Sequence, residues 1–264
     1  MKTKFLILLS LISLIGFSQN VTVNSGATLT VASGKYISIG GNFSNSGTTT
    51  LNSTSNSYSA LLVSGSSTGN ITYNRYVNTV GSGEWDLVGS PVGSLSISGF
   101  VSSNSGSVAT SGSTYAVGTY SNTSGGGWSN YTTSSGSNDV ASAGNFPAGT
   151  GYQMASASGG TLAFTGTVAT SDQTVAITDN SGSGGTKWNL VANPFPSYLN
   201  GNSNAGTNNF YSTNSGVLHG SFAAIYGWNA DGSGYTAYNN TSNATYLAPV
   251  SYTHLTLPTT YGVE

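Results

Sequence analysis

The sequence predicts an all-β protein, with an N-terminal array of short strands that is β-solenoid-like or an elongated sandwich, followed by two repeated β-sandwich-like units. Only 5% of the 264 residues are charged, and Ser, Thr, Asn and Gly supply just over half of the chain. Short apolar runs alternate with turn residues, and no long segment after the N-terminal 18 residues has the 3.6-residue period of an amphipathic helix. A tryptophan-containing segment also occurs twice, which indicates an internal repeat.

The composition excludes several classes of function. Five Lys and Arg residues cannot form a basic patch that neutralises nucleic-acid phosphates. The chain has no Cys, so it has no disulfide, thiolate metal site or Cys nucleophile. Sixteen Tyr, nine Phe and four Trp supply enough apolar surface for one or two β cores, so we expect a folded chain.

Residues 1–18 have the organisation of a secretory signal peptide. Lys2 and Lys4 precede an apolar run, Phe5 to Phe17, and small residues lie before a cleavage point ahead of Gln19. The run is shorter than the roughly 20 residues needed to span a bilayer. We therefore expect an exported protein, extracellular or on the outer cell surface, whose mature chain has no transmembrane segment.

Residues 19–70 are predicted to form the short-strand stalk region. The runs Ala27–Val31 and Tyr36–Ile39 alternate apolar and polar residues, which places one face inward. Asn-Ser-Gly triplets separate the strands, and Asn and Gly tolerate the positive φ angles of tight turns. Stacked β-coils fit this spacing, and a plain Ser/Gly linker is the alternative.

The two β units are predicted at residues 71–180 and 181–249, the second being truncated. The segment EWDLVGSP at 84–91 aligns with KWNLVANP at 187–194, an offset of 103 residues. We expect the repeat-equivalent Trp85 and Trp188 to be anchors in the core. Pro91 and Pro194, which end the two copies of the segment, are the other predicted structural anchors of the repeat. Further strands are predicted at Leu162–Val168 and Gln173–Ile177, where apolar and polar residues alternate.

Each unit also contains a predicted β-hairpin with aromatic residues beside a Gly-rich turn. Tyr120 and Trp128 in the first unit align with Trp228 and Tyr235 in the second. Such aromatics can stack on sugar rings, and packing against a neighbouring strand is the alternative. The candidate ligand-stacking residues are Tyr120, Trp128, Trp228, Tyr235 and Tyr238.

Residues 250–264 differ in composition from the rest of the chain. The run VSYTHLTLPT contains neither Gly nor Asn. Back-translated with permitted codons, it is similar to one reading frame of a transposase adapter used for short-read sequencing libraries. We therefore interpret this segment as adapter read-through, and we expect the natural chain to continue beyond Pro249 with the last strand or strands of the second unit.

No residue is assigned a catalytic role, and we predict that the chain is not an enzyme. Ser67 lies in a G-x-S-x-G pattern, but a hydrolase needs a strand, a sharp turn and a helix there, and His219 is the single histidine before residue 250. Glu84 and Asp86 lie on one strand face, but the repeat replaces them with Lys187 and Asn189, which favours a structural role. No cofactor or metal is expected, with Ca²⁺ at the loops of Asp139 and Asp231 as the weaker alternative to a simple turn.

Together these motifs resemble large secreted surface proteins of Bacteroidetes that are exported by the type IX system. The resemblance rests on the signal segment ending in FSQ, the Asn-Ser-Gly array, ITYNRY at 71–76, WDLVGSP at 85–91 and WNLVANPFPS at 188–197. Members carry a C-terminal sorting domain, which this sequence lacks. The resemblance implies a structural protein and transfers no catalytic residues.

We therefore expect a non-enzymatic secreted or cell-surface β protein, a structural or adhesion fragment of a larger exported chain. The alternative is a carbohydrate-binding accessory module of a secreted hydrolase, which exposed hairpin aromatics would favour over buried ones. The expected partners are the secretion machinery, reached through the missing C-terminal domain, and surface glycans or other cell-surface proteins, but not nucleic acid.

Overall fold

The computed structural model describes residues 19–81, 85–136, 138–218, 223–231 and 233–249, and the backbone of 252–256. The signal-peptide prediction and the residues Glu84 and His219 lie outside these ranges. Strands dominate, which confirms the predicted all-β class. The strands are β1 (Val21–Val23), β2 (Thr28–Val31), β3 (Tyr36–Ile39), β4 (Phe43–Asn45), β5 (Thr48–Thr54), β6 (Ser57–Tyr58), β7 (Ala60–Val63), β8 (Ser67–Thr68), β9 (Asn70–Val77), β10 (Asp86–Val88), β11 (Thr110–Ser111), β12 (Thr114–Ser121), β13 (Gly127–Thr132), β14 (Tyr152–Met154), β15 (Gly160–Thr167), β16 (Trp188–Ala192), β17 (Leu199–Asn200), β18 (Ile225–Trp228), β19 (Tyr235–Tyr238), β20 (Tyr246–Leu247) and β21 (Tyr252–Thr256).

Helical structure is limited to short segments. The α-helices are α1 (Ile97–Ser103) and α2 (Phe210–Asn214), and 3₁₀ turns lie at Val140–Ser142, Ser181–Ser183 and Ser215–Val217. Ser96 caps α1, because its hydroxyl accepts a hydrogen bond from the Gly99 N–H at 3.0 Å. Within the described ranges, no helix has the length and apolar character needed to cross a membrane.

The N-terminal strands form a parallel β-solenoid, one of the two arrangements that the sequence predicts. Strand β1 pairs in parallel with β4 and β4 with β8, and β2, β5 and β9 form a second parallel stack. Strands β3 and β7 form a third side, with Tyr36 opposite Ala60, which lies 24 residues later. Each coil of the chain therefore lies on the preceding coil.

Asparagine and glycine residues at the turns allow the coils to stack closely. The side-chain amide of Asn45 donates to the carbonyl of Asn70 in the next coil, at 2.5 Å. Gly69 has φ of +81°, and a Cβ there would lie 1.9 Å from the carbonyl oxygen of Asn45. Glycine is therefore required at this position both by conformation and by close approach. Apolar side chains such as Leu51 and Leu61 fill the interior.

The last solenoid coil continues directly into the first β unit. Strand β9 pairs in parallel with β5 on one edge and antiparallel with β15 on the other, with Tyr73 opposite Phe164. Helix α1 covers this junction, because the ring of Phe100 packs 4.6 Å from the ring of Phe164. The solenoid and the first unit consequently share one hydrophobic core.

The two β units contain sheets with the same strand pairing. In the first sheet β10 pairs with β14, β14 with β12, and β12 with β13. In the second sheet β16 pairs with β21, β21 with β18, and β18 with β19. Strand β21 lies in the segment that we interpret as adapter-derived, and its backbone occupies the position that β14 occupies in the first sheet.

The two units contact each other through the repeated tryptophan segments. The N–H of Ala192 donates to the carbonyl of Gly149 at 2.8 Å, and Thr150 forms a β-bridge with Val191.

The prediction of a strand at Gln173–Ile177 is wrong, because this segment has no ladder partner. Val175 and Ile177 are instead held by side-chain packing against the small cluster around Val191.

Candidate functional site

The candidate site is built from cross-strand aromatic pairs on the two hairpins. Tyr120 lies opposite Trp128 in the β12–β13 hairpin, with ring centroids 5.1 Å apart. Trp228 lies opposite Tyr235 in the β18–β19 hairpin, with ring centroids 5.0 Å apart. Directly opposed residues on antiparallel strands have side chains on the same face, so each hairpin presents a Trp–Tyr pair. The alignment made from the sequence therefore matches the observed register.

The two hairpins meet at an aromatic cleft of about 230 Å³, lined by Tyr120, Trp128, Trp188 and Tyr235. Trp128 is 42% exposed and Tyr235 is 45% exposed, whereas the other two rings are partly buried. Burial and the neighbouring Tyr120 raise the pKa of Tyr235, which agrees with the closeness of the two hairpins. The cleft thus offers aromatic faces that a ligand can reach.

Polar contacts hold the first hairpin against the segment that leads into Trp188. Asn122 is nearly buried, and its side chain donates to the carbonyl of Thr178 at 2.9 Å and accepts from the amide of Asn180 at 2.7 Å. Its backbone carbonyl accepts from the Thr186 N–H at 2.8 Å. The Tyr120 hydroxyl lies 3.3 Å from the Thr186 hydroxyl. This network fixes both walls of the cleft relative to each other.

Two of the five predicted stacking residues lie away from the cleft. Trp228 and Tyr238 are partly buried and line a second, larger cavity, which none of the four cleft residues lines. The indole N–H of Trp228 donates to the carbonyl of Trp85 at 2.8 Å, which ties the second hairpin to the first unit. The structure therefore brings Tyr120, Trp128 and Tyr235 together in the lining of the cleft. Trp228 packs against Tyr235 but, like Tyr238, lines the larger cavity.

The repeat anchors differ in their surroundings. Trp85 is partly buried against a small alanine cluster, and Pro91 is buried. Trp188 is also only partly buried: it packs edge-on against Tyr226 with centroids 4.9 Å apart, and it lines the cleft. Both repeat-equivalent tryptophans are thus partly buried, and Trp188 differs from Trp85 in lining the cleft. Pro194 is partly buried.

Trp188 is also the cleft residue that the sequence did not assign to ligand contact. Its position in the repeat suggested the same role as Trp85, and no local pattern distinguishes the two tryptophans. The difference arises from tertiary packing, because the first hairpin lies beside Trp188 and Trp228 reaches the backbone of Trp85.

The remaining polar candidates have structural partners. Asp86 forms an ion pair with Arg75 at 3.8 Å and accepts from the Asn78 N–H at 2.6 Å. Asp231 accepts from the N–H of Ser233 at 2.8 Å, as the predicted hairpin turn requires, and Asp139 caps a 3₁₀ turn by accepting from the Ala141 N–H. Across the residues that the structure describes, no group of three or more metal-ligating side chains occurs.

Ser67 does not have the surroundings of a hydrolase nucleophile. It begins the short strand β8, which pairs in parallel with β4, and the chain then enters strand β9. The strand–turn–helix geometry that exposes such a serine is therefore not formed here. His219, the single histidine before residue 250, is outside the described residues.

Fold and site together define a class: an all-β protein in which a parallel solenoid leads into two equivalent sheets that share an aromatic cleft. The chain belongs to the family described as Domain of unknown function (DUF8693), whose model matches residues 7–259. The match includes most of the predicted signal peptide and part of the segment after Pro249. No curated protein and no solved structure matches the chain.

Proposed function

We propose that this chain is a non-enzymatic, exported β protein, the structural or adhesion part of a larger cell-surface chain. The observation that carries the proposal is the series of strand pairings from the solenoid through β9 to β15, together with the hydrophobic core that the solenoid shares with the first unit. Such stacking produces a rod-like stalk from local repeats, because each coil buries the face of the preceding coil.

Sequence features add support to this proposal. Residues 1–18 have the pattern of a signal peptide, and the motifs resemble those of type IX cargo in Bacteroidetes. The chain has only five Lys and Arg and seven Asp and Glu. Its polar surface therefore consists mainly of the hydroxyl groups of Ser and Thr, the amide groups of Asn and the backbone groups of Gly. The secretion machinery would recognise a C-terminal sorting domain beyond this sequence.

Surface exposure can be tested in a Bacteroidetes host. The gene, with its natural downstream sequence, is expressed with and without codons 2–18, and intact cells are treated with a protease. We expect the full form to be cleaved on intact cells and the shortened form to be protected inside them. Disruption of the type IX translocon is expected to abolish cleavage, and unchanged cleavage after that disruption would contradict the type IX assignment.

A second candidate is a carbohydrate-binding accessory module, and the aromatic cleft is the observation that favours it. Tyr120, Trp128, Trp188 and Tyr235 surround the cleft, and the two most exposed rings come from different repeats. Large apolar faces held in a concave site by a rigid sheet are typical of small-ligand sites. Sugar rings have apolar faces that suit such surfaces.

The test compares Trp128→Ala and Tyr235→Ala with Tyr36→Ala, which removes a ring that is 67% exposed on the solenoid. Affinity electrophoresis through gels that contain soluble polysaccharides measures retardation. We expect both cleft variants to lose retardation at least tenfold, about 1.4 kcal/mol, and the solenoid variant to keep it. Equal behaviour of all three variants would remove this candidate and leave the scaffold proposal untouched.

A further inference from the structure

A cavity of about 860 Å³ lies where three parts of the fold meet, and it is separate from the aromatic cleft. Tyr58 from the solenoid forms one wall, and Arg75 on β9 and Asp86 on β10 form another. The second β unit supplies the opposite side with Trp228 and Tyr238. Ligand pockets of roughly 300–1,000 Å³ occur preferentially at such junctions.

The cavity wall contains the Arg75–Asp86 ion pair. Arg75 is 6% exposed and Asp86 is 9% exposed, and the nearest charged atoms are 3.8 Å apart. The guanidinium carbon of Arg75 lies 4.5 Å from the centre of the Tyr58 ring. Nε of Arg75 has no hydrogen-bond partner among the described residues. Burial of an ion pair costs desolvation free energy, so stability alone does not explain this pair.

The second repeat shows that the fold does not need this charge. Asp86 accepts a hydrogen bond from the Asn78 N–H at 2.6 Å, and its repeat equivalent Asn189 accepts one from the Thr178 N–H at 2.9 Å. A neutral amide thus makes the same kind of backbone contact. Asp86 lines the cavity, and its neutral equivalent Asn189 does not.

We propose that the cavity binds a neutral saccharide, with Arg75 and Asp86 as its polar contacts and Trp228 and Tyr238 as its aromatic walls. The pair has no net charge, so a charged ligand would place an uncompensated charge beside two largely buried side chains. Sugar hydroxyls donate to a carboxylate and accept from a guanidinium, which suits both members of the pair.

This inference rests on the carbohydrate-binding candidate and extends it. Trp228 connects the two places, because it lines the cavity and its ring packs 5.0 Å from the ring of Tyr235 in the cleft. The cleft and the cavity are therefore neighbours, joined at the Trp228–Tyr235 ring pair. The cleft would supply apolar contacts to the sugar rings, and Arg75 and Asp86 in the cavity would hydrogen-bond to the sugar hydroxyl groups.

The test uses the full chain from Gln19 and calorimetric titration with gluco-, manno- and xylo-oligosaccharides. The double variant Arg75→Gln/Asp86→Asn keeps the pair neutral, and Asn is the residue of the second repeat. Ala237→Trp fills the cavity from an exposed position on β19, so it leaves the core intact. Thermal unfolding of each variant confirms that it is folded, and Tyr36→Ala is the matched control.

We expect a neutral oligosaccharide to bind the unaltered chain, and both cavity variants to weaken binding at least tenfold while Tyr36→Ala leaves it unchanged. If only Trp128→Ala weakens binding, the cleft acts alone and the cavity proposal is overturned, whereas the carbohydrate-binding candidate stands. If no neutral oligosaccharide binds, or if a uronic-acid oligosaccharide binds at least tenfold more tightly than every neutral one, the cavity proposal is also overturned.

Discussion

The two β units have the same strand pairing but differ at the residues that contact the rest of the molecule. Asp86 in the first unit corresponds to Asn189 in the second, and Gly89 corresponds to Ala192, both at the offset of 103 residues. Leu87 and Val88 match Leu190 and Val191, and all four are buried. The shared residues build the sheet, and the differing residues adapt each copy to its neighbours.

The Gly89 and Ala192 pair illustrates this adaptation. A Cβ on Gly89 would lie 2.3 Å from the Cβ of Ala192, and 2.8 Å from the carbonyl oxygen of Thr150. The two equivalent positions thus face each other across the contact between the units, and there is room for one methyl group only. A sequence repeat that folded as two independent sheets would not require this difference.

The largest predicted effect concerns the Arg75–Asp86 ion pair of the first unit, since Asp86 is replaced by Asn189 in the second. Arg75→Gln leaves the nearly buried Asp86 carboxylate without its cation, so we expect a loss of about 3–5 kcal/mol in the free energy of unfolding at neutral pH. Urea denaturation measures the loss. The control is Lys187→Gln, which removes the more exposed pair with Asp179 at 3.3 Å and is expected to change stability little. Equal losses would show that burial does not distinguish the two pairs.

A smaller effect is expected for the contact between the units. Gly89→Ala introduces a methyl group where none fits, so we expect a destabilisation of about 1–3 kcal/mol in urea denaturation. Gly182→Ala is the control, because a Cβ there meets no atom within 4 Å. The double variant Gly89→Ala/Ala192→Gly removes the methyl group of Ala192 that the new methyl group would meet. We therefore expect it to recover part of the lost free energy of unfolding, because the two sites are in contact and their effects are not additive. Strict additivity would contradict the proposed contact.

The smallest predicted effect is a pH dependence of folding stability that arises from Asp86 and that the neutral Asn189 does not produce. Burial raises the pKa of Asp86 above its ordinary value of 3.8, and Arg75 opposes this shift only in part. The folded chain therefore binds this proton more tightly than the unfolded chain does. The resulting stabilisation is present below the ordinary pKa and is lost as pH rises through the folded pKa.

Asp86→Asn removes this titration, so the stability of the unaltered chain relative to the variant is expected to fall as pH rises from the ordinary pKa of 3.8 through the raised pKa of the folded chain. Urea denaturation of both proteins across this range gives the difference between their free energies of unfolding. The contributions of the other titrating groups cancel in this difference because both proteins contain them. A difference that grows with pH would mean that Arg75, and not burial, dominates the environment of Asp86.

Local patterns in the sequence predict much of this architecture. Alternating apolar residues locate strands such as Tyr36–Ile39, and the aligned hairpins predict the pairing of Tyr120 with Trp128 and of Trp228 with Tyr235. These features depend on neighbouring residues, on turn chemistry and on a repeat that is visible in the chain itself.

Contacts between distant segments were not predictable in the same way. Strand β15 pairs with β9 across about 90 residues, and Trp188 and Tyr120 line one cleft although they belong to different repeats. Apolar alternation shows that a strand has a buried face but does not identify its partner. The Gln173–Ile177 segment has the alternation of a strand and forms none, because side-chain packing holds it in place of a ladder.

The central claim is that these residues are the repeat-bearing part of a larger exported chain, and long-read sequencing of the source DNA across the codon for Pro249 tests it most directly. We predict that the frame continues with a Gly-x-Gly strand, like Gly149–Tyr152 in the first unit, followed by further strands and a sorting domain. Such a strand would take the position of β21 in the second sheet. A frame that encodes Val250 to Glu264 and then stops would contradict the claim.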